Sequence, residues 1–162
     1  MAPILAERYR GMSGSVSVEL GPATNTDIAK SLKTEDSLYF GMDVSRPFLE
    51  RARELVNEPG HKIENAYQVL GDTYQMPFQD DIADIVCVSC HPPFVSATPA
   101  DKIRAFAEVK RVLKPEGEFA LFPWDPSKVQ PEVADYIQKE FELVGSHSQH
   151  AGRELVFLRA RD

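Results

Sequence analysis

The stretch "CVSCHPPF", Cys87 to Phe94, gathers two thiols and an imidazole within a few residues. Cys-x-x-Cys-His is the spacing by which c-type haem is attached to a chain, and thiols near a histidine also suit a metal or a redox couple. Haem attachment belongs to exported chains, whereas the opening "MAPILAERYRG" sets Glu7 and Arg8 where a signal peptide requires an apolar core. The expectation is a cytoplasmic protein with reduced cysteines. Structural zinc needs four ligands, and two Cys with one His and no second cluster fall short. If "ADIVCVSC" is a strand, Cys87 and Cys90 point to opposite faces and cannot pair. Cys87 then reads as a core residue, with Cys90 and His91 at a strand end facing a cleft.

A second set of groups lies further upstream. Glu19, Asp43 and Asp72 each sit near the end of a run with strand character, "SVSVELG", "LYFGMDV" and "AYQVLGD". In open α/β sheets ligands bind beyond the carboxyl ends of the strands, so three carboxylates in such places belong to a candidate site. Asp43 follows Gly21 by about 20 residues, the offset at which nucleotide-binding folds place a carboxylate on ribose hydroxyls. The turn "ELGPATN" lacks the full G-x-G-x-x-G pattern, because Ala23 and Thr26 stand at the second and third glycine positions. A pyrophosphate would be crowded there.

These residues must be positioned by elements whose pattern is regular. After "SVSVELG", the segment "NTDIAKSLK" offers Asn25 or Thr26 as a cap and apolar spacing at Ile28, Ala29 and Leu32. Helix "SRPFLERARELV" starts on Ser45 with Pro47 in its first turn, and Phe48, Leu49, Ala52, Leu55 and Val56 share its apolar face. "ADIVCVS" is apolar without a break, as a strand buried on both faces requires. Helix "ADKIRAFAEVKRVL" has a predicted stripe of Ile103, Phe106, Ala107, Val109 and Val112 or Leu113, and "KPEG" stops it before strand "EFALFPW". Helix "PEVADYIQKEF" and the strands "FELVGSHSQ" and "RELVFLRAR", joined by a turn at Ala151 and Gly152, complete the chain. The pattern predicts an α/β fold: a mostly parallel sheet with helices on both faces and a C-terminal antiparallel hairpin.

With 162 residues, 43% hydrophobic and 27% charged, the chain is expected to form a single domain over 1–162. A net charge of -7 opposes nucleic-acid backbones and anionic membranes, so neither is an expected partner. No apolar run approaches the ~18 residues of a membrane span.

From Val16 to Gly117 the order of motifs resembles class I S-adenosylmethionine-dependent methyltransferases, in particular the methyltransferase type 11 group, with a Rossmann-like fold. "VELGPATN" is similar to their first motif, and "YFGMDVSRPFLERARE" to their second strand and helix. "GDTYQMPFQDDIADIV" resembles their third and fourth strand region, and "AFAEVKRVLKPEGEFALF" the approach to the fifth strand. The resemblance implies a methyl donor, S-adenosylmethionine, with S-adenosylhomocysteine as product. Gly21, with Pro22 and Ala23, would form the turn under its methionine part, with Glu19 nearby. Asp43 and Val44 would hold the ribose, and Asp72 and Thr73 would reach the adenine, with Ser89 near the methyl group. A sulfonium without phosphate suits these carboxylates, and a nicotinamide-dependent oxidoreductase fits less well. The chain departs from the family pattern at Ala23 and Asn25, which replace glycines, and at Glu116, the first of a usual glycine pair with Gly117. Asn25 is expected to supply the positive φ. A non-catalytic, methyltransferase-like binding module is the alternative.

"HPPF" resembles the Asn/Asp-Pro-Pro-aromatic motif of amino-methylating members, with His91 in place of the amide or acid. The simpler reading is a proline-stiffened turn with Phe94 packed beneath it. As a catalytic candidate, His91 would take a proton from an acceptor hydroxyl, thiol or amine. Trp124 and Asp125 are candidates for an acceptor pocket, Tyr9 for a cover over the cofactor, and His147 and His150 for solvated turn positions. The acceptor is expected to be a small molecule or a protein. Short lids leave the cleft either open to a bulky acceptor or completed by a second subunit in a homodimer.

Overall fold

A computed structural model describes residues 1–34, 36–59, 62–148 and 153–161. The chain runs through α1 (Ala2–Arg8), β1 (Val16–Leu20), α2 (Asp27–Leu32), β2 (Leu38–Asp43), α3 (Arg46–Val56), β3 (Ala66–Leu70) and β4 (Ala83–Ser89). It continues through a one-turn helix α4 (Pro92–Val95), then α5 (Pro99–Val112), β5 (Leu113–Trp124), α6 (Pro131–Glu140), β6 (Phe141–Ser148) and β7 (Glu154–Ala160). The strands form one sheet in the order β3-β2-β1-β4-β5-β7-β6. Neighbours from β3 to β5 pair in parallel, and β7 runs antiparallel to both β5 and β6. This is the mostly parallel sheet with an antiparallel C-terminal hairpin expected from the alternation of elements, and the Rossmann-like arrangement that the resemblance implies.

The period-2 alternation of strand side chains divides the core between the two faces of the sheet. Val86 and Val88 of β4, Phe119 and Leu121 of β5, and Val156 and Leu158 of β7 join Phe106 and Val109 of α5 and Val133 and Ile137 of α6. On the other face Ile85, Cys87, Ala120, Leu155 and Phe157 meet Leu5 of α1, Ile28 and Leu32 of α2, and Val56 of α3. Cys87 is fully buried, in keeping with a core role. No helix among the described residues is long and apolar enough to cross a membrane.

Three expectations about faces need correction. The helical period that buries Leu49, Ala52 and Val56 turns Phe48 away, and it is exposed. In α5 the buried stripe is Lys102, Ala105, Phe106, Val109 and Val112, so Ala107 is exposed and a lysine takes an inward place. Tyr9 does not cover the cleft: its hydroxyl donates to Glu118 at 3.0 Å, and Arg8 donates two bonds to the same carboxylate at 2.7 and 2.9 Å. The Arg8 guanidinium also stands 4.2 Å from the Phe157 ring centre, so α1 is fastened to β5 and β7. The turn expected at Ala151 and Gly152, with His150, lies outside the described residues. His147 is exposed on β6, edge-on to Phe157.

The departure at Glu116 has a steric explanation. Glu116 takes the left-handed conformation, φ +67°, while Gly117 sits where a Cβ would come within 2.9 Å of the carbonyl oxygens of Ala83 and Lys114. Close approach of backbone therefore demands glycine at 117, and the turn tolerates a side chain at 116.

Candidate functional site

The order of strands reverses between β1 and β4, which opens a crevice at their carboxyl ends. Glu19 lies near the end of β1, opposite Gly41 on β2 and Cys87 on β4. Tyr39, diagonal to Glu19 across the β1–β2 pair, donates its hydroxyl to the Glu19 carboxylate. Glu19 is only 3% exposed, and burial pushes its carboxyl up to about 7 against the opposing effect of that hydrogen bond.

The turn after β1 is left-handed at both Gly21 (φ +65°) and Ala23 (φ +50°). It is Ala23, then, and not Asn25, that supplies a non-glycine positive φ. The Asn25 side chain accepts from the Asp27 amide at 2.8 Å and opens α2. Asp43 ties this turn to the next element, accepting from the Ala23 amide at 3.3 Å through one oxygen and from the Ser45 amide at 2.8 Å through the other. Val44 stands beside it and is 65% exposed, an apolar edge over the crevice.

Asp72 accepts from the Tyr74 amide at 2.9 Å, and Thr73 is buried beside it. The loop that carries them is clamped to α5. Arg111 donates to the carbonyls of Phe78 and Met76, at 2.8 and 3.1 Å, and to the Asp80 and Glu108 carboxylates. Glu108 in turn accepts the Met76 amide at 2.8 Å, and its carboxyl is held below the usual range chiefly by the Arg111 hydrogen bond.

His91 lies across the middle of the crevice. Its Nε2 is 2.8 Å from the Thr73 hydroxyl, and its ring covers Gly21, where a Cβ would fall 2.3 Å from Nδ1. Only glycine fits at 21 on both counts, positive φ and contact. Burial lowers the His91 pKa, against the opposing pull of Asp43 and Asp72, which favours a neutral ring. The structure thus places the catalytic candidate among the donor-site candidates, with one nitrogen already engaged.

Three cavities meet around this segment. One of about 420 Å³ is bounded by Glu19, Gly21, Pro22, Ala23 and Ser89, with Met1, Ala2 and Pro3 of the α1 region forming its cover. Another of about 580 Å³ has Val44, Asp72, Thr73, Tyr74 and His91 on its wall. The His91 ring, seated on Gly21 and bonded to Thr73, stands between them. A third, of about 240 Å³, is reached by Cys90 and Trp124. Three consecutive residues thus face three spaces, because Cys90 is itself left-handed (φ +56°) and turns the chain. Cys90 accordingly opens away from the crevice that His91 enters. "HPPF" forms the single turn of α4, with Phe94 packed edge-on against Phe106, as the simpler reading of that motif expects.

Tyr39, Arg111, Lys102 and the α1 cover were not singled out from the sequence. Lys102 alone left a trace, a charge four residues before Phe106 on an apolar face. Among the described residues no group of three His, Cys, Asp or Glu is placed to hold a metal.

The family model described as a methyltransferase domain matches residues 18–121. A search of curated proteins finds no match. Among solved structures, a SAM-dependent methyltransferase from Aquifex aeolicus is similar at 16% identity, with a TM-score of 0.75 over 99% of this chain and 89% of that one. A methyltransferase of Haloferax volcanii, solved in complex with its Trm112 activator, is 16% identical with a TM-score of 0.76 over 99% and 89%. The cyclase SpnF is 15% identical with a TM-score of 0.75 over 98% and 80%. The matched motifs and the fold agree: the chain belongs to the methyltransferase domain family, whose methyl donor is S-adenosylmethionine.

Proposed function

We propose that this protein binds S-adenosylmethionine in the crevice across β1, β2 and β4 and transfers its methyl group to an acceptor bound beside Ser89 and His91. The observation that carries the reading is that Glu19 lines one cavity and Asp72 another at the carboxyl ends of the strands, while Asp43 is bonded to the Ala23 turn of the first and adjoins Val44 of the second. The residues fit the group. Carboxylates suit a cationic ligand without phosphate, and the turn keeps its left-handed form at Gly21 and Ala23 although the second glycine is lost.

When bound, the donor supplies an electrophilic methyl group on sulfur. Glu19, Gly21, Pro22 and Ala23 bound the space for its amino-acid part, and Asp43 has lone pairs left for ribose hydroxyls after serving the Ala23 and Ser45 amides. Val44, Asp72 and Thr73 form the remaining cavity, where an apolar edge and a carboxylate meet a purine. The chain's own work is positioning and exclusion of water, and for this α1 and α4 form walls. For His91 to accept a proton from the acceptor its ring must leave its present seat, since Nε2 faces Thr73 and Nδ1 lies against Gly21.

One observation favours the alternative of a non-catalytic module: the His91 ring separates the two halves of the crevice. Calorimetric titration with S-adenosylmethionine and S-adenosylhomocysteine, with Asp43→Ala alongside, decides between them. Binding that disappears in the variant supports the transferase; no binding of either ligand at millimolar concentration refutes it. Light scattering of the same samples tests the homodimer.

A further inference from the structure

The third cavity differs from the other two in its walls. Phe94, Val95, Pro123, Trp124 and Val129 make it largely apolar, at the carboxyl end of β5. Set into this apolar space is Lys102, only 7% exposed, whose ammonium donates to the Gln130 side-chain oxygen at 3.1 Å. Among the described residues no carboxylate lies within ion-pair distance of it. An ammonium bonded to a single neutral amide oxygen has donors left that an anion alongside would engage.

The remaining charges support an anionic ligand. Asp125 also lines the cavity, but Lys128 at 2.8 Å and the Ser127 hydroxyl at 2.6 Å already engage its carboxylate. Arg153 adds a further cation at the rim. The local excess is therefore positive in a chain whose net charge is -7. At about 240 Å³ the space is below the usual ~300–1,000 Å³ of drug-sized sites, so it takes a compact molecule. The Phe94 and Trp124 rings suit a flat apolar body.

We propose that this cavity is a ligand site separate from the crevice, and that it takes a compact carboxylate with an apolar, aromatic body whose anionic end meets Lys102. The preference for an anion rests on the cavity alone and stands apart from the methyltransferase reading. The wall shared with the donor crevice is the segment Ser89, Cys90 and His91, whose members face all three spaces. A molecule in this cavity is thereby kept apart from Glu19 and Asp72, which line the other two.

The chain has one tryptophan, Trp124, so its emission reports on this cavity. Phenylacetate and its neutral isostere phenylacetamide are titrated against intrinsic fluorescence, with and without saturating S-adenosylhomocysteine, whose own binding is followed by calorimetry. Expected are saturable binding of the acid, an affinity for the amide weaker by about tenfold or more, and a similar loss for the acid in Lys102→Met. Acid binding should persist when the thioether product is bound, since the two ligands occupy different cavities. Equal affinity for acid and amide, no saturable change, or competition with S-adenosylhomocysteine would overturn the proposal. If Lys102→Met does not fold, the acid and amide comparison in the wild type, with Arg153→Ala as a second charge variant, still decides.

Discussion

Glu19→Gln offers a test of the electrostatics at the first strand. The Glu19 carboxyl titrates near 4.5 in an unfolded chain and is pushed up to about 7 here, principally by burial. The folded state holds this proton more tightly than the unfolded state, so folding takes up a proton between those two values. Stability from this group is complete below about pH 4.5 and is lost as pH rises through about 7. A tenfold change in proton affinity is about 1.4 kcal/mol, so the loss across the window is between about 2 and 4 kcal/mol. Glutamine imitates the protonated acid, and its oxygen can still accept from Tyr39. His91 acts with the opposite sign, because its lowered pKa means stability falls as pH drops through its ordinary value near 6.5. That contribution is shared by wild type and variant and cancels in their difference. Urea unfolding from about pH 5 to about pH 8 should show Glu19→Gln gaining on the wild type by about 2 to 4 kcal/mol, with unchanged m-value. A difference that stays constant over this range would refute the account of Glu19 as a buried, proton-holding acid.

Two further substitutions probe the crevice and its supports. Thr73→Val removes the hydrogen bond that holds His91 over Gly21; with about 1 kcal/mol released from competition, S-adenosylhomocysteine should bind roughly fivefold more tightly by calorimetry. Unchanged or weaker binding would show that the His91 ring does not compete with the ligand. Glu118→Gln leaves Arg8 and Arg159 without their shared carboxylate partner and weakens the bond to the buried Tyr9, and should cost about 1 to 2 kcal/mol in chemical denaturation, whereas a loss below about 0.5 kcal/mol would show that α1 is held by packing alone.

What the sequence revealed, and what it hid, divides along physical lines. Strand β4 was legible because an unbroken apolar run has few alternatives when both faces are covered, and the carboxylates were legible because strand ends open on the crevice. The donor side of the site is thus encoded in local pattern. Each property that sets the chemistry arises from contacts between distant parts of the chain. Glu19 holds its proton through burial, against the hydrogen bond from Tyr39, which comes from the neighbouring strand 20 residues away. Lys102 is turned inward by the phase of α5 and meets Gln130 at the start of α6. The directions of Ser89, Cys90 and His91 depend on a left-handed Cys90, which no glycine or asparagine announces. A reader of motifs therefore finds the strand-end carboxylates first. The third cavity is assembled where α4, α5, β5 and the segment before α6 come together, and the lysine buried among them is its most specific mark.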